Sequence, residues 1–411
     1  MSFAYQNKKL MCEGMAVAAI AAQAGTPCYL YSAHQFRENF GAYRNAFLGA
    51  DATICFAVKA CSNIAILKLL GAAGAGADTV SGGEIRRALL AGIAPEKIIF
   101  SGVGKTEDEI ALALESGIGQ LNVESPEELE IVDGIAAARK VKARISLRVN
   151  PDVDAGTHEK ISTGRKSDKF GIPWPEVWET YQEARTLSHL EVEGVACHIG
   201  SQITDLAPFK AAFAKVTDLA RELQADGFRL RRIDLGGGLG IQYRDETAVD
   251  VADYAAAVMQ SVRPLGLQLF LEPGRSIGAS AGALISEVQF IKHAEGRSFA
   301  VLDAGMNDLA RPAIYGAYHE IIPVRQGDPA ESYDVVGPVC ESSDIFGTNR
   351  RLPRLAAGDL VAILNAGAYG AAMSSNYNTR SLPPEILVEG DQCKVIRERQ
   401  RFEDIIALER Y

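Results

Sequence analysis

With 411 residues, 47% of them hydrophobic and 23% charged, the chain has room for two or three domains and a sizeable core. Disorder, collagen and coiled coil are excluded by the same figures. The 52 acidic against 42 basic residues leave a net charge of −10, a field that repels phosphate backbones and anionic lipid. Neither nucleic acid nor a membrane is expected as a partner, and an anionic small molecule must be held by a few well-placed arginines.

Lys8 and Lys9 precede an Ala-rich stretch, Met15 to Ala22, and Ala22-Gln23-Ala24 resembles a small-residue cleavage site. Glu13 interrupts this segment and its apolar part is short, so a small amphipathic helix ending at Gly25 is expected rather than a signal peptide. No apolar run approaches the ~18 residues of a membrane span. A soluble, cytoplasmic protein is expected.

From about residue 50 two periodicities alternate. Runs that read as buried strands lie at Thr53–Val58, Ala77–Val80, Lys97–Ser101, Gly119–Val123, Ala143–Val149, Val192–His198, Arg231–Leu235 and Gln268–Glu272. Helical patterns separate them. Ile66, Leu69, Leu70 and Ala73 follow a possible Ser62 cap, and Thr106 to Glu109 and Ser125 to Glu128 read as capping boxes. Ala211 to Ala225 and Val251 to Val262 supply two later helices. This repeat predicts a (β/α)8 TIM-type barrel over residues 35–280. A doubly wound sheet is disfavoured, because its phosphate loop belongs after the first strand and the conspicuous glycines here follow the seventh.

Beyond residue 280 short β-prone segments dominate: Leu284–Ile291, Phe299–Leu302, Tyr333–Val336, Leu360–Leu364, Glu385–Val388 and Cys393–Arg397. They predict a second, mostly antiparallel β domain over 281–411, to which Tyr29–Tyr31 in the segment 1–34 could add a strand. The seven cysteines, at 12, 28, 55, 61, 197, 340 and 393, form neither a Cys-x-x-Cys nor a Cys/His cluster. Mostly buried thiols in a reducing compartment are expected, with no metal site.

The chemistry of such a barrel sits at the C-terminal ends of its strands, and the unusual residues fall there. Lys59 follows the first strand, Asp78 lies in the second and Ser101 ends the third. Asn150 follows the fifth, His198 closes the sixth, Gly236-Gly237-Gly238 follow the seventh, and Glu272-Pro273-Gly274-Arg275 close the eighth. Two glycine clusters on adjacent strands suit a phosphate held by main-chain N–H groups. A strand-end lysine is ordinarily a solvated charge. Opposite a phosphate site, a partly desolvated lysine can instead capture an aldehyde. A cofactor with both groups is pyridoxal 5′-phosphate, whose ring nitrogen needs a carboxyl partner; Glu272 is suitably placed in sequence, and His198 could cover the ring.

The segments Phe56-Ala-Val-Lys59-Ala60, Gly76-Ala-Asp78-Thr-Val-Ser-Gly-Gly-Glu84, Phe100-Ser101-Gly-Val-Gly-Lys-Thr106, Asn150-Pro-Asp-Val153 and His198-Ile-Gly-Ser201-Gln202 carry a family resemblance. So do Asp234-Leu-Gly236-Gly-Gly-Leu-Gly240, Glu272-Pro-Gly-Arg275, Ala310-Arg311-Pro-Ala-Ile-Tyr315, Gly337-Pro-Val-Cys340-Glu341-Ser342 and Asn365-Ala-Gly-Ala-Tyr369-Gly370. The chain resembles the fold-type III, pyridoxal-phosphate-dependent amino acid decarboxylases over nearly its whole length. The resemblance implies a barrel plus a β domain that takes up the N-terminal segment, and a homodimer with active sites at the subunit interface. It implies Lys59 as the Schiff-base lysine, Glu272 at the pyridine nitrogen and His198 stacked on the ring. Gly236, Gly237, Gly238, Gly274 and Arg275 would cradle the phosphate, with Ser201 and Asp78 also cofactor-binding. Arg275, Arg311 and Tyr315 would hold the substrate's distal end, and Tyr369 would touch both cofactor and substrate. Cys340 and Glu341 would reach in from the partner subunit, Cys340 as proton donor.

Two arginines toward the distal end suit a second amino acid head group, whose carboxylate a guanidinium binds bidentately while Glu341 accepts from its ammonium. That points to meso-2,6-diaminopimelate, giving L-lysine and CO2. A sister decarboxylase of ornithine, arginine or another amino acid on the same fold is the alternative, followed more weakly by a non-catalytic cofactor-binding protein and a racemase. Cys61 stands where the family commonly has asparagine, and Ser343 where glycine is common.

Overall fold

The computed structural model describes every residue except 1, 157–162, 165–168 and 411. The chain divides into two compact units, Asn39–Ile241 with Thr247–Ser276, and Met1–Glu38 with Gln242–Glu246 and Ile277–Tyr411. Against the expected 35–280, the first unit starts and ends a few residues inside and cedes Gln242–Glu246 to the second.

The first unit is a closed parallel barrel. Its strands are Ala52–Ala57, Gly76–Thr79, Ile98–Phe100, Gln120–Val123, Ala143–Asn150, Leu190–Ala196, Arg232–Asp234 and Gln268–Leu271. Each pairs with the next in sequence, and Leu269–Leu271 close the ring against Ala52–Ile54. All eight expected strands form, within two residues of the expected bounds. Their apolar runs are buried because helices cover a parallel sheet from outside while side chains fill it from within; Cys55, Ile99 and Phe270 cluster there.

The helix starts follow local chemistry, with two corrections. Asn63, not Ser62, caps helix Ile64–Ala72, accepting the Ala65 N–H at 3.0 Å; the cap must be the extended residue directly before the first turn. Thr106 and Glu109 form the expected reciprocal box. Ser125 caps Pro126–Arg139 through the Glu128 N–H, but the Glu128 carboxylate turns to the Glu124 N–H at 2.8 Å and Lys105 Nζ at 2.7 Å. The buried Lys105 ammonium outcompetes the return bond of a box.

The second unit is built on the 13-residue strand Gly282–Ala294. It pairs antiparallel with Cys28–Ser32, Leu360–Ile363 and Arg297–Leu302. Glu385–Glu389 adds to Cys28–Ser32 in parallel and Gln392–Arg397 follows antiparallel; Glu331–Val336 and Ile345–Leu352 extend the other side. The expected N-terminal helix forms as Val17–Ala24 with Gly25 at its end. A three-stranded sheet, Phe3–Gln6, Lys9–Cys12 and Met15–Ala16, precedes it. Leu10, Cys12, Val17 and Ile20 pack in one core with Leu30, Ile285 and Val388. Of the cysteines, 12, 28, 55, 61 and 197 are buried, 393 is half-buried and 340 exposed, all with free thiols. Among the described residues no cluster could hold a metal and no helix is long and apolar enough to cross a membrane.

The β unit buries a titrating carboxyl. Asp308 accepts N–H groups from Gly305 and Asn307, both at 2.9 Å, yet burial pushes its pKa up to about 6. The folded chain therefore binds a proton between about pH 4 and 6 that the unfolded chain lacks, and stability falls as pH rises through that window. Asp308→Asn is expected to remove this fall, gaining up to about 3 kcal/mol on wild type between pH 4 and 7. Melting curves of both proteins across the range check it, and parallel curves would contradict it.

Candidate active site

At the C-terminal end of the barrel the structure joins the sequence-marked residues by direct contacts. Lys59 lies on a single helical turn, Val58–Ala60, just past the first strand. Its Nζ is 2.6 Å from Asp78 Oδ2. The Asp78 side chain is fully buried, while that of Lys59 stays 36% exposed. The amine is thus anchored by a buried carboxylate while its side chain stays partly open to solvent. Asp78 Oδ1 is buried with no hydrogen-bond partner, which leaves it spare acceptor capacity.

Glu272 follows the last residue of the eighth strand and is buried. It receives the Ser101 hydroxyl at 3.4 Å, and Ser101 is held by the Asn122 amide at 3.0 Å. Burial, then the nearby Asp234 and Asp78 carboxylates, push its pKa well above the ordinary value, and Lys59 and Arg148 do not offset them. Burial also pushes the Asp234 pKa up, to about 6; Asp234 accepts the Gly236 N–H at 2.9 Å and the Gln120 and Asn122 amides at 3.1 and 3.3 Å. With so many donors on Asp234, the proton of the pair resides on Glu272. Burial thus favours the protonated form of Glu272, a carboxyl at the end of the eighth strand.

His198 lies two residues past the sixth strand, its carbonyl pinned by Thr163 Oγ1 at 2.8 Å. Its Nδ1 accepts the Gly237 N–H at 3.1 Å. Burial, then the charges of Arg148 and Lys59, hold its pKa well below the usual histidine range. The imidazole is neutral, so its face can lie against a flat ring without carrying a cation there. Arg148 forms a buried pair with Glu124 at 2.9 Å, and Glu124 also accepts the Gly102 and Gly171 N–H groups.

Two of the glycine N–H groups have partners within the protein: Gly236 donates to Asp234 and Gly237 to His198. The cluster also packs closely between neighbouring loops. Gly236 and Gly238 take φ of +65° and +107°, and a Cβ on Gly237 would overlap the Glu272 carbonyl. Gly237→Ala is accordingly expected to destabilise the barrel by roughly 1–3 kcal/mol, read as a lower melting temperature; an unchanged melt would show that the loop yields freely. Beside these loops, Arg275 Nη2 donates to Ser201 Oγ at 3.0 Å. Asn150 ends the fifth strand and accepts the Asp152 N–H at 3.0 Å, shaping its own loop.

In the β unit, Arg311 begins the short helix Arg311–Tyr315 and is buried. Its Nη1 is 2.8 Å from His319 Nε2. Tyr315 and Tyr369 are half-buried. Tyr369 sits at φ +57°, a conformation that bulky residues seldom adopt and that concentrates at functional sites. Cys340 is exposed, its N–H donated to Asn378 Oδ1 at 3.2 Å. Glu341 accepts the Tyr377 hydroxyl at 2.6 Å. The loop carrying both is fixed by Asp344, which accepts the Met306 and Val339 N–H groups at 2.6 and 2.7 Å. Cys61 is buried, and Ser343 Oγ lies 3.6 Å from Met306 Sδ.

Sequence reasoning missed Asp234, Arg148, Gln120, Asn122 and His319 as site residues. The first four are polar residues within barrel strands, a signal available from the sequence since such strands are otherwise apolar.

The barrel-mouth groups fit pyridoxal 5′-phosphate by their chemistry: an amine for its aldehyde, a carboxyl with an available proton for its ring nitrogen, and a neutral ring for its face. Comparisons with known proteins agree. Residues 33–279 match the family of pyridoxal-dependent decarboxylases through its pyridoxal binding domain. The chain is 48% identical over 407 residues to diaminopimelate decarboxylase of Pseudomonas aeruginosa, covering 99% of this chain and 98% of that one. The Haemophilus influenzae enzyme of the same name is 47% identical, with 99% of each chain covered. The crystal structure of Helicobacter pylori diaminopimelate decarboxylase complexed with L-lysine superposes with a TM-score of 0.93 at 45% identity, covering 95% of this chain and 98% of that one. The chain belongs to the pyridoxal-dependent decarboxylases, in the diaminopimelate decarboxylase family.

Proposed function

We propose that the protein decarboxylates meso-2,6-diaminopimelate to L-lysine and CO2, working in the cytoplasm as a homodimer with pyridoxal 5′-phosphate. The observation that carries this reading is full-length similarity to enzymes of that name, joined to the Lys59–Asp78 and Glu272–Asp234 pairs. When bound, the cofactor supplies an aldehyde for covalent capture of an amine and a ring that takes up the electron pair left by departing CO2. Lys59 Nζ is the amine that would hold the cofactor's aldehyde. Glu272 keeps a proton at the ring nitrogen, so the ring can accept electrons. His198 covers one ring face with an uncharged surface. Gly236, Gly237, Gly238, Gly274 and Arg275, with Ser201, would cradle the phosphate.

Arg275, Arg311 and Tyr315 would hold the distal carboxylate and ammonium of the substrate, and Tyr369 would touch both cofactor and substrate. Cys340 and Glu341 serve the partner subunit's site, where the Cys340 thiol delivers a proton to the α-carbon. The exposure of Cys340 on a firmly held loop supports that role.

The test is CO2 release by the cofactor-loaded protein from meso-diaminopimelate, beside ornithine, arginine and lysine. Release from diaminopimelate alone is expected, and release from a different amino acid would overturn the distal-end assignment. Arg311→Ala is expected to raise KM for diaminopimelate roughly 30-fold or more, the scale of losing ~2 kcal/mol or more from a charge-assisted pair; an unchanged KM removes Arg311 from substrate binding.

A further inference from the structure

His319 is completely buried in the β unit, and the hydrogen bonds around it fix its protonation. Its Nε2 lies 2.8 Å from Arg311 Nη1. A guanidinium only donates, so Nε2 must be the acceptor. Its Nδ1 lies 2.7 Å from the Leu364 carbonyl oxygen, which only accepts, so Nδ1 carries the hydrogen. The ring is therefore neutral and in one tautomer. The frame around it is stiff. Ile321–Pro323 pairs antiparallel with Leu360–Ile363, and Leu364 donates its N–H to Glu320 O at 2.8 Å, setting the acceptor carbonyl beside the residue that uses it. The His319 carbonyl is held in turn by Arg350 Nη2 at 3.1 Å.

Tyr243 completes the arrangement. It belongs to Gln242–Glu246, the short segment that packs with the β unit. The Arg311 guanidinium carbon sits 4.7 Å from its ring centroid, and its ring meets His319 edge to face at 5.5 Å and 74°. One contact thus fixes the guanidinium in its plane and the other fixes the plane itself.

We infer that His319, backed by Tyr243, is a positioning residue that orients Arg311 for the distal carboxylate of the substrate and so sets the preference for substrates that carry one. The inference rests on the reading of Arg311 given above. The choice of histidine has a physical reason. An aspartate or glutamate would hold the guanidinium more firmly, but it would neutralise the charge and compete with the incoming carboxylate. A neutral acceptor orients the cation without itself neutralising it.

The experiment uses the cofactor-loaded enzyme with two inhibitors, L-lysine, which keeps the distal carboxylate, and 1,5-diaminopentane, which lacks it. His319→Phe keeps a ring and removes the acceptor. It is expected to raise KM for diaminopimelate and Ki for L-lysine about tenfold, the scale of one hydrogen bond to a charged group, with kcat little altered and Ki for 1,5-diaminopentane unchanged. His319→Gln, which retains one acceptor and one donor, is expected to restore most of the loss. An unchanged L-lysine Ki, or equal weakening of both inhibitors, overturns the inference. Should His319→Phe fail to fold, Tyr243→Leu carries the test, with the same selective loss expected and the same equal loss overturning it. Arg311→Ala run alongside separates the two readings. If it abolishes the discrimination between inhibitors while His319→Phe does not, only the role of His319 falls; if it leaves discrimination intact, the role of Arg311 falls and that of His319 with it.

Discussion

Replacing Lys59 with alanine is expected to lower kcat by a factor on the order of 10⁴ or more, the scale lost when a covalent nucleophile is removed. The protein should stay folded, because the lysine side chain is 36% exposed and its loss opens no core cavity. Its partner, Asp78, would then lie buried without its cation. A buried carboxylate stripped of its partner is costly, so some loss of melting temperature should accompany the loss of rate. Lys59→Arg separates these effects, since it restores the charge against Asp78 without an amine that can capture an aldehyde. Turnover should remain absent in it while stability recovers. Borohydride reduction of the loaded wild-type protein should fix the cofactor on the peptide containing Lys59. Labelling of any other lysine, or substantial turnover in Lys59→Ala, would sink the assignment.

Much of this site was legible before any coordinates because a parallel barrel announces itself. Its strands are buried on both faces, so Ile54–Val58 or Ile98–Phe100 reads as an unbroken apolar run, and a charged residue at its end stands out. Lys59, His198 and Glu272 were found that way. The N-terminal sheet was invisible for the opposite reason. Its strands are two to four residues long, and the first turn, Asn7-Lys8, takes φ of +50° and +63° without the glycine that usually marks such a hairpin. Ile345–Leu352 was missed because it ends its sheet and mixes glycine, threonine, asparagine and arginine.

Contacts distant in sequence were harder still. Asp234 reads as the start of a glycine turn until folding places it against Glu272. His319 carries no pattern of its own; its meaning comes from Arg311, Tyr243 and Leu364, which three different stretches of chain bring together. The glycines carry a second duty that their number did not reveal: two of their N–H groups serve Asp234 and His198. In close-packed loops a glycine also answers to its neighbours.

Cys340→Ala is expected to reduce kcat by ~10²–10⁴, the range for loss of a positioned proton donor, with KM for diaminopimelate little changed. The thiol lies on an exposed loop held by Asp344, so its removal should leave the stability within about 0.5 kcal/mol of wild type. If Cys340 serves the partner's site, the defect can be complemented. A Lys59→Ala chain lacks the amine but keeps the thiol, and a Cys340→Ala chain has the converse defect. In a mixed dimer one of the two sites receives both native groups and the other neither. Random reassortment of equal amounts makes half the dimers mixed, so about a quarter of wild-type activity should appear where each variant alone has almost none. Recovery near that fraction requires a shared site. No recovery, with mixed dimers shown to form by differential tagging, would place Cys340 in the site of its own chain or outside catalysis. Unchanged turnover in Cys340→Ala itself would decide for the latter.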